Sequence, residues 1–147
     1  MAETLSQSQA EALIRVEKVR VTEALHDFPA PGAKLSVPLQ SRLGRENFLL
    51  DIHRGRIDLW KGTYQNRARQ VIPLVRLDFG GPPHRNPDDE LIPPPHMHVY
   101  REDFGDKWAV RINDEFCDDL SDLWSLLHGF YAYCNIVQPP NLRRGLW

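Results

Sequence analysis

Apolar residues change their period twice along this chain. Ala10, Leu13, Ile14, Val16 and Val19 follow Ser8 and Glu11, whose three-residue spacing is that of a capping box. The spacing predicts an amino-terminal helix that Pro29-Ala30-Pro31-Gly32 closes near Phe28. Its β-branched residues, Ile14, Val16, Val19 and Val21, lower its intrinsic propensity, so it needs a surface to pack on. From residue 34 to 113 the pattern shortens to extended runs between turn residues. Leu35, Val37 and Leu39 alternate with other residues, and 48–52 resumes an extended run after a turn at 41–45. Arg54-Gly55-Arg56 reads as a tight turn leading straight into a strand at 57–60. Residues 71–79 form another apolar run, in which Pro73 removes a ladder donor and argues for an edge position or a bulge. Residues 96–101 and 107–112 look like a last hairpin. Leu120, Leu123, Trp124, Leu127, Tyr131 and Cys134 then make one continuous helical stripe, with Asp118, Asp119 and Asp122 crowding its start, where the helix dipole favours anions. Pro139-Pro140 ends it. The expected fold is α+β, one domain over 1–147: an N-terminal helix, an antiparallel sheet of five or six strands and a C-terminal helix packed on the sheet, with 1–9 and 139–147 as loose tails.

Composition narrows the function classes. The 147 residues are 41% hydrophobic and 26% charged, ordinary globular usage that excludes disordered and fibrous architectures. No apolar run approaches the roughly 18 residues of a membrane helix, and the first thirty residues lack a leader pattern, so the expected location is cytoplasmic. Cys117 and Cys134 lack CxxC spacing and are read as reduced, with Cys134 in a helix core. A net charge of −2 gives no global attraction to nucleic acid, yet it hides two opposed segments. Residues 42–76 hold eight cations against three acids, and 86–122 hold eleven acids against three cations. The plain reading is that these segments pair or are solvated on different faces. The functional reading adds aromatic rings: Trp60 and Tyr64-Gln65-Asn66-Arg67-Ala68-Arg69 supply the rings, amides and guanidinium forks that a single-stranded RNA site uses. Trp60, Tyr64, Asn66, Arg67, Arg69 and Tyr100 are the nucleic-acid-binding candidates.

The densest chemistry lies at Pro95-His96-Met97-His98-Val99-Tyr100-Arg101-Glu102. On a strand, His96, His98, Tyr100 and Glu102 share one face while Met97 and Val99 point toward a core. The long loop at 80–95 adds His84. The plain reading of such histidines is half-buried hydrogen bonding. Two chemistries compete with it. His84, His96 and His98 can act as general acid and base on an RNA phosphodiester without a metal, with Lys107, Arg67 or Arg69 as the electrostatic clamp. Alternatively His96, His98 and Glu102 offer the ligand types of a 2-His-1-carboxylate site for one divalent metal ion, in the HxHxxxE spacing of the first cupin motif. The glycines and downstream histidine strand of that motif are missing, and His128 completes the ligand set only if the last helix reaches across.

The string Tyr64-Gln65-Asn66-Arg67-Ala68-Arg69, Arg76-Leu77-Asp78, Gly80-Gly81-Pro82-Pro83-His84 with Asn86-Pro87-Asp88, Pro95-His96-Met97-His98 with Tyr100-Arg101-Glu102, and Phe104-Gly105-Asp106-Lys107-Trp108-Ala109 resembles an uncharacterised bacterial and prophage family over about 12–136. That resemblance carries no activity. Residues 76–98 are also similar to TumE-like toxins, which implies a ribonuclease with an antitoxin partner. The toxins' lysine-containing loop is replaced here by prolines. Three readings therefore stand side by side: a toxin-like ribonuclease, a cupin-like metalloprotein, and a non-catalytic interaction protein of phage or mobile-element origin whose acidic segment docks on a basic partner.

Overall fold

The computed structural model describes residues 4–145. The valines behind Leu13 stop the first helix early. Helix α1 (Gln7–Arg15) starts at Ser6, whose side chain accepts from the Gln9 backbone while Gln9 caps Ser6 in return, so the capping box lies two residues before the expected one. Val19 then enters strand β1 (Lys18–Arg20), and the chain continues into β2 (Leu25–Asp27) where a helix was expected. β-branched side chains pack better on a pleated surface than against a helical turn. The remaining elements are β3 (Lys34–Ser41), β4 (Asn47–Arg54), β5 (Gly62–Ala68), β6 (Ile72–Phe79), β7 (His84–Arg85), β8 (Leu91–Ile92), β9 (His96–Val99), β10 (Ala109–Arg111), α2 (Leu123–Tyr133), β11 (Ile136–Gln138) and β12 (Asn141–Arg143).

The architecture is α+β with two helices, but the sheet is larger than five or six strands and is mixed. Eight strands run in the order β10-β9-β6-β5-β4-β3-β1-β11, antiparallel throughout except for the parallel pair β1 and β11. Two small ribbons, β2 with β12 and β7 with β8, complete it. Residues 57–60 are not a strand. Asp58 bends them into a loop, its carbonyl accepting from Lys61 N at 3.1 Å and its carboxylate from Trp60 N at 3.0 Å. Pro73 does mark a bulge, because Asn66 pairs with Val75 and Arg67 with Pro73, yet β6 is an interior strand between β5 and β9. The segments expected as loose tails carry contacts where they are described. Leu5 is buried and Asn141–Arg143 pairs with β2, while residues 1–3 and 146–147 lie outside the described residues.

Strand alternation sorts the central sheet into two faces. Leu35, Ile52, Tyr64, Leu77 and Met97 stand in cross-strand register, and all but Leu35 belong to the main apolar cluster. Leu13 of α1 and Leu126, Leu127 and Phe130 of α2 belong to that same cluster, so both helices cover this face. On the other face, Lys34, His53, Thr63, Asp78 and His96 align in one row and Ser36, Asp51, Gln65, Arg76 and His98 in the next. Among the described residues, no helix is long and apolar enough to cross a membrane.

Candidate functional site

The second face turns into a site where β6 meets β9. Register places Asp78 beside His96 and Arg76 beside His98. Asn86 then holds the proline-rich loop against β10, donating to Ala109 O at 2.9 Å and accepting from Ala109 N at 2.8 Å, and this brings His84 over the same face. The three imidazole centroids lie 4.5 to 6.0 Å apart. His96 and His98 are only 3% and 1% exposed, whereas His84 is partly open to solvent.

Two backbone carbonyls determine where the ring protons reside. His98 Nδ1 is 2.8 Å from Asp106 O, and His84 Nε2 is 2.8 Å from Lys107 O. A carbonyl only accepts, so each of these nitrogens carries the hydrogen, and the opposite nitrogen of a neutral ring is left with a lone pair. For His98 that nitrogen is Nε2, which stands 3.2 Å from Asp78 Oδ2 without forming a hydrogen bond. His96 Nε2 stands 3.6 Å from the same oxygen, and His96 Nδ1 is buried without a partner. The other carboxylate oxygen is occupied, accepting from Thr63 Oγ1 at 3.2 Å and from Arg76 Nε at 3.1 Å. Burial alone would raise the Asp78 pKa. The two imidazoles and the Arg76 guanidinium outweigh it and hold the carboxyl well below the ordinary range. A carboxylate facing lone pairs in a buried place requires a positive centre between them, either a proton on the ring or a cation. Donor atoms of Asp78, His96 and His98 all lie within 4.8 Å of one another, a separation that one metal ion bridges.

Above this floor opens a cleft of about 740 Å³, bordered by the β4–β5 loop and by Gly80 to His84. Its charged lining comprises Arg56, Lys61 and Arg76 against Asp58 and Asp78. Arg76 is already paired, with Asp78 and, at 2.9 Å, with Asp106.

Of the expected acid–base residues, His84, His96 and His98 come together. Lys107 contributes only its backbone carbonyl, and its side chain is exposed. Glu102 does not join His96 and His98. β9 ends at Val99, so the alternation that would align Glu102 with His96 breaks, and its carboxylate accepts from Gln7 N at the start of α1. His128 packs beside Trp124 and Tyr131 on α2. Most of the nucleic-acid candidates are structural. Tyr64 is wholly buried and donates to Leu123 O at 2.8 Å. Asn66 is buried and donates to Leu49 O. Tyr100 is buried with its hydroxyl on both backbone groups of Leu5. Arg67 pairs with Asp51, and Arg69 with Glu46. Trp60, on the β4–β5 loop, is 63% exposed. The residue that sequence reasoning missed is Asp78. The signal was present in Arg76-Leu77-Asp78-Phe79, where apolar 77 and 79 put 76 and 78 on the polar face beside the histidines.

The model of DUF6978, a family of unknown function, matches residues 5–136. No curated protein and no solved structure matches the chain.

Proposed function

The chain belongs to DUF6978, and we propose that this member is a metalloprotein whose Asp78, His96 and His98 hold one divalent transition-metal ion at the floor of a substrate cleft. One observation carries the reading: the His98 tautomer set by Asp106 O directs an unpartnered Nε2 at Asp78 Oδ2. A ligating histidine characteristically donates its other ring N–H to a carbonyl or carboxylate, which fixes the ring and raises the basicity of the ligating nitrogen. Two imidazoles and one carboxylate suit zinc, iron, manganese or cobalt. With three protein ligands, a metal held here would leave room for a water, whose lowered pKa would supply hydroxide to attack an ester near neutral pH. His84, with Nε2–H on Lys107 O and Nδ1 free, is the group positioned to accept that proton. Metal-assisted hydrolysis of a phosphoester is the reaction this arrangement fits best.

The test is metal analysis of the purified protein, followed by stripping, reloading with zinc, manganese or cobalt, and assay on a chromogenic phosphodiester. One ion per chain is expected, lost in His98→Ala and in Asp78→Asn, with turnover that EDTA abolishes. Protein that binds none of these ions at micromolar concentration would sink the reading.

A metal-free ribonuclease is the second reading, favoured by the partial exposure of His84 beside two further imidazoles. It predicts RNA cleavage that survives EDTA and disappears in His84→Ala. An antitoxin partner belongs to that reading alone.

A further inference from the structure

The cleft carries a second feature that the His–Asp floor does not use. Its rim cations, Arg56 and Lys61, are each laid along glycine. A β-carbon at Gly81 would meet Lys61 Cε at 3.3 Å and Cδ at 3.7 Å, so the lysine stem runs over the bare backbone of that residue. At Gly80, with φ +70°, a β-carbon would come within 2.6 Å of Trp60 O and 2.8 Å of Lys61 Cα. On the other side of the loop, a β-carbon at Gly32 would meet Arg56 Cβ and Nε at 3.2 Å. The loop between them is closed by its own hydrogen bonds, Gly55 N to Lys61 O at 2.7 Å and Lys61 N to Asp58 O at 3.1 Å. Both stems therefore pack along glycine backbone beside the cleft, while the residues stay open to solvent.

The two cations also lack partners. Among the described residues, neither Arg56 nor Lys61 has an ion pair, although both line the cleft. Of the two lining acids, Asp58 accepts from the Trp60 backbone and Asp78 is engaged by Thr63 and Arg76. Unmatched guanidinium and ammonium groups lining one half-open cleft fit an oxyanion with several acceptor oxygens. A volume of about 740 Å³ has the size of a small-molecule site.

We infer that Arg56 and Lys61 bind the phosphate group of a small phosphorylated ligand, whose remainder lies over His84, His96 and His98. The inference rests on the metal-site reading for the reaction but not for the binding. Inorganic phosphate is the probe, titrated by calorimetry into the full chain with and without added zinc. Saturable binding is expected, weakened about 10- to 100-fold in the double variant Arg56→Gln, Lys61→Gln, while melting temperature and metal content stay as in the parent. Equal affinity in parent and double variant, or no binding by the parent, overturns it. Tighter binding of a short single-stranded RNA that depends on Trp60 overturns the small-molecule ligand. If metal analysis finds no ion but phosphate still binds through these two residues, the metal reading fails and this one stands.

Discussion

The two faces of β5, β6 and β9 are built by alternate residues of the same strands, yet they treat buried polar atoms differently. On the helix-covered face, the Tyr64 hydroxyl is matched to Leu123 O, and the Lys18 ammonium is caged by the carbonyls of Ile14, Val16 and Cys134 at 2.7 to 3.2 Å. Arg54 Nε, Asn66 Oδ1 and the Tyr131 hydroxyl are buried orphans on that side. On the opposite face His98 is buried like the core leucines, but its free Nε2 and the Nε2 of His96 stand 3.2 and 3.6 Å from one carboxylate oxygen. Burial alone therefore does not separate scaffold from site. What separates them is whether unmatched polar atoms gather around a common point, since a fold gains nothing in stability from leaving them so.

The helix-covered face carries the largest expected effects. Phe130→Ala, which removes a fully buried ring from between α2 and the sheet, is expected to cost about 3–5 kcal/mol in denaturant unfolding. Lys18→Met strands three carbonyls and is expected to cost about 2–4 kcal/mol. The lysine also leaves a pH signature. Burial pushes its pKa down to about 8, so between pH 8 and the ordinary lysine value the unfolded chain binds more protons than the folded one. Stability should rise with pH through that window relative to Lys18→Met, and a flat difference between the two would show that the ammonium stays charged in its cage.

The polar face responds to ligand instead. Zinc at about a hundred times its dissociation constant should stabilise the parent by about 2.7 kcal/mol and leave Asp78→Asn and His98→Ala unmoved. An equal gain in the variants would detach the histidine cluster from metal binding. The smallest effect belongs to the network beside the site, where Asp51 accepts from Arg67, Ser36 and Gln65. Burial raises the Asp51 pKa, and these bonds more than offset it, so the folded value is lowered. Its contribution of about 1 kcal/mol is present above the unfolded carboxylate pKa and is lost as pH falls below it. Acid titration of the parent against Asp51→Asn reads that difference.

Legibility in the sequence followed the range of the physics involved. The helical stripe from Leu120 to Cys134 and the extended runs at Leu35 to Leu39 and Phe48 to Ile52 come from local periodicity, and each corresponds to an element of that type. The string Tyr64 to Arg69 has the residue types of a nucleic-acid site, but residue type carries no information about which face a side chain takes. Register in β5 sends Tyr64 and Asn66 into the core while Arg67 meets Asp51 across the strand pair. Glu102 lies beyond the end of β9 at Val99, so strand alternation does not reach it.

By itself the sequence determined the α+β class, the alternation that puts His96 and His98 on one face, and the convergence of histidine chemistry on the stretch after the proline loop. Those follow from periods of 2 and 3.6 residues, which are properties of local backbone geometry. Only the tertiary structure decided that Asp78 stands beside the two histidines, that Asp106 and Lys107 carbonyls set the tautomers, and that Arg56 and Lys61 line the same cleft. Those depend on strand order and register, which bring together residues far apart in the chain and leave no trace in the spacing of any one segment.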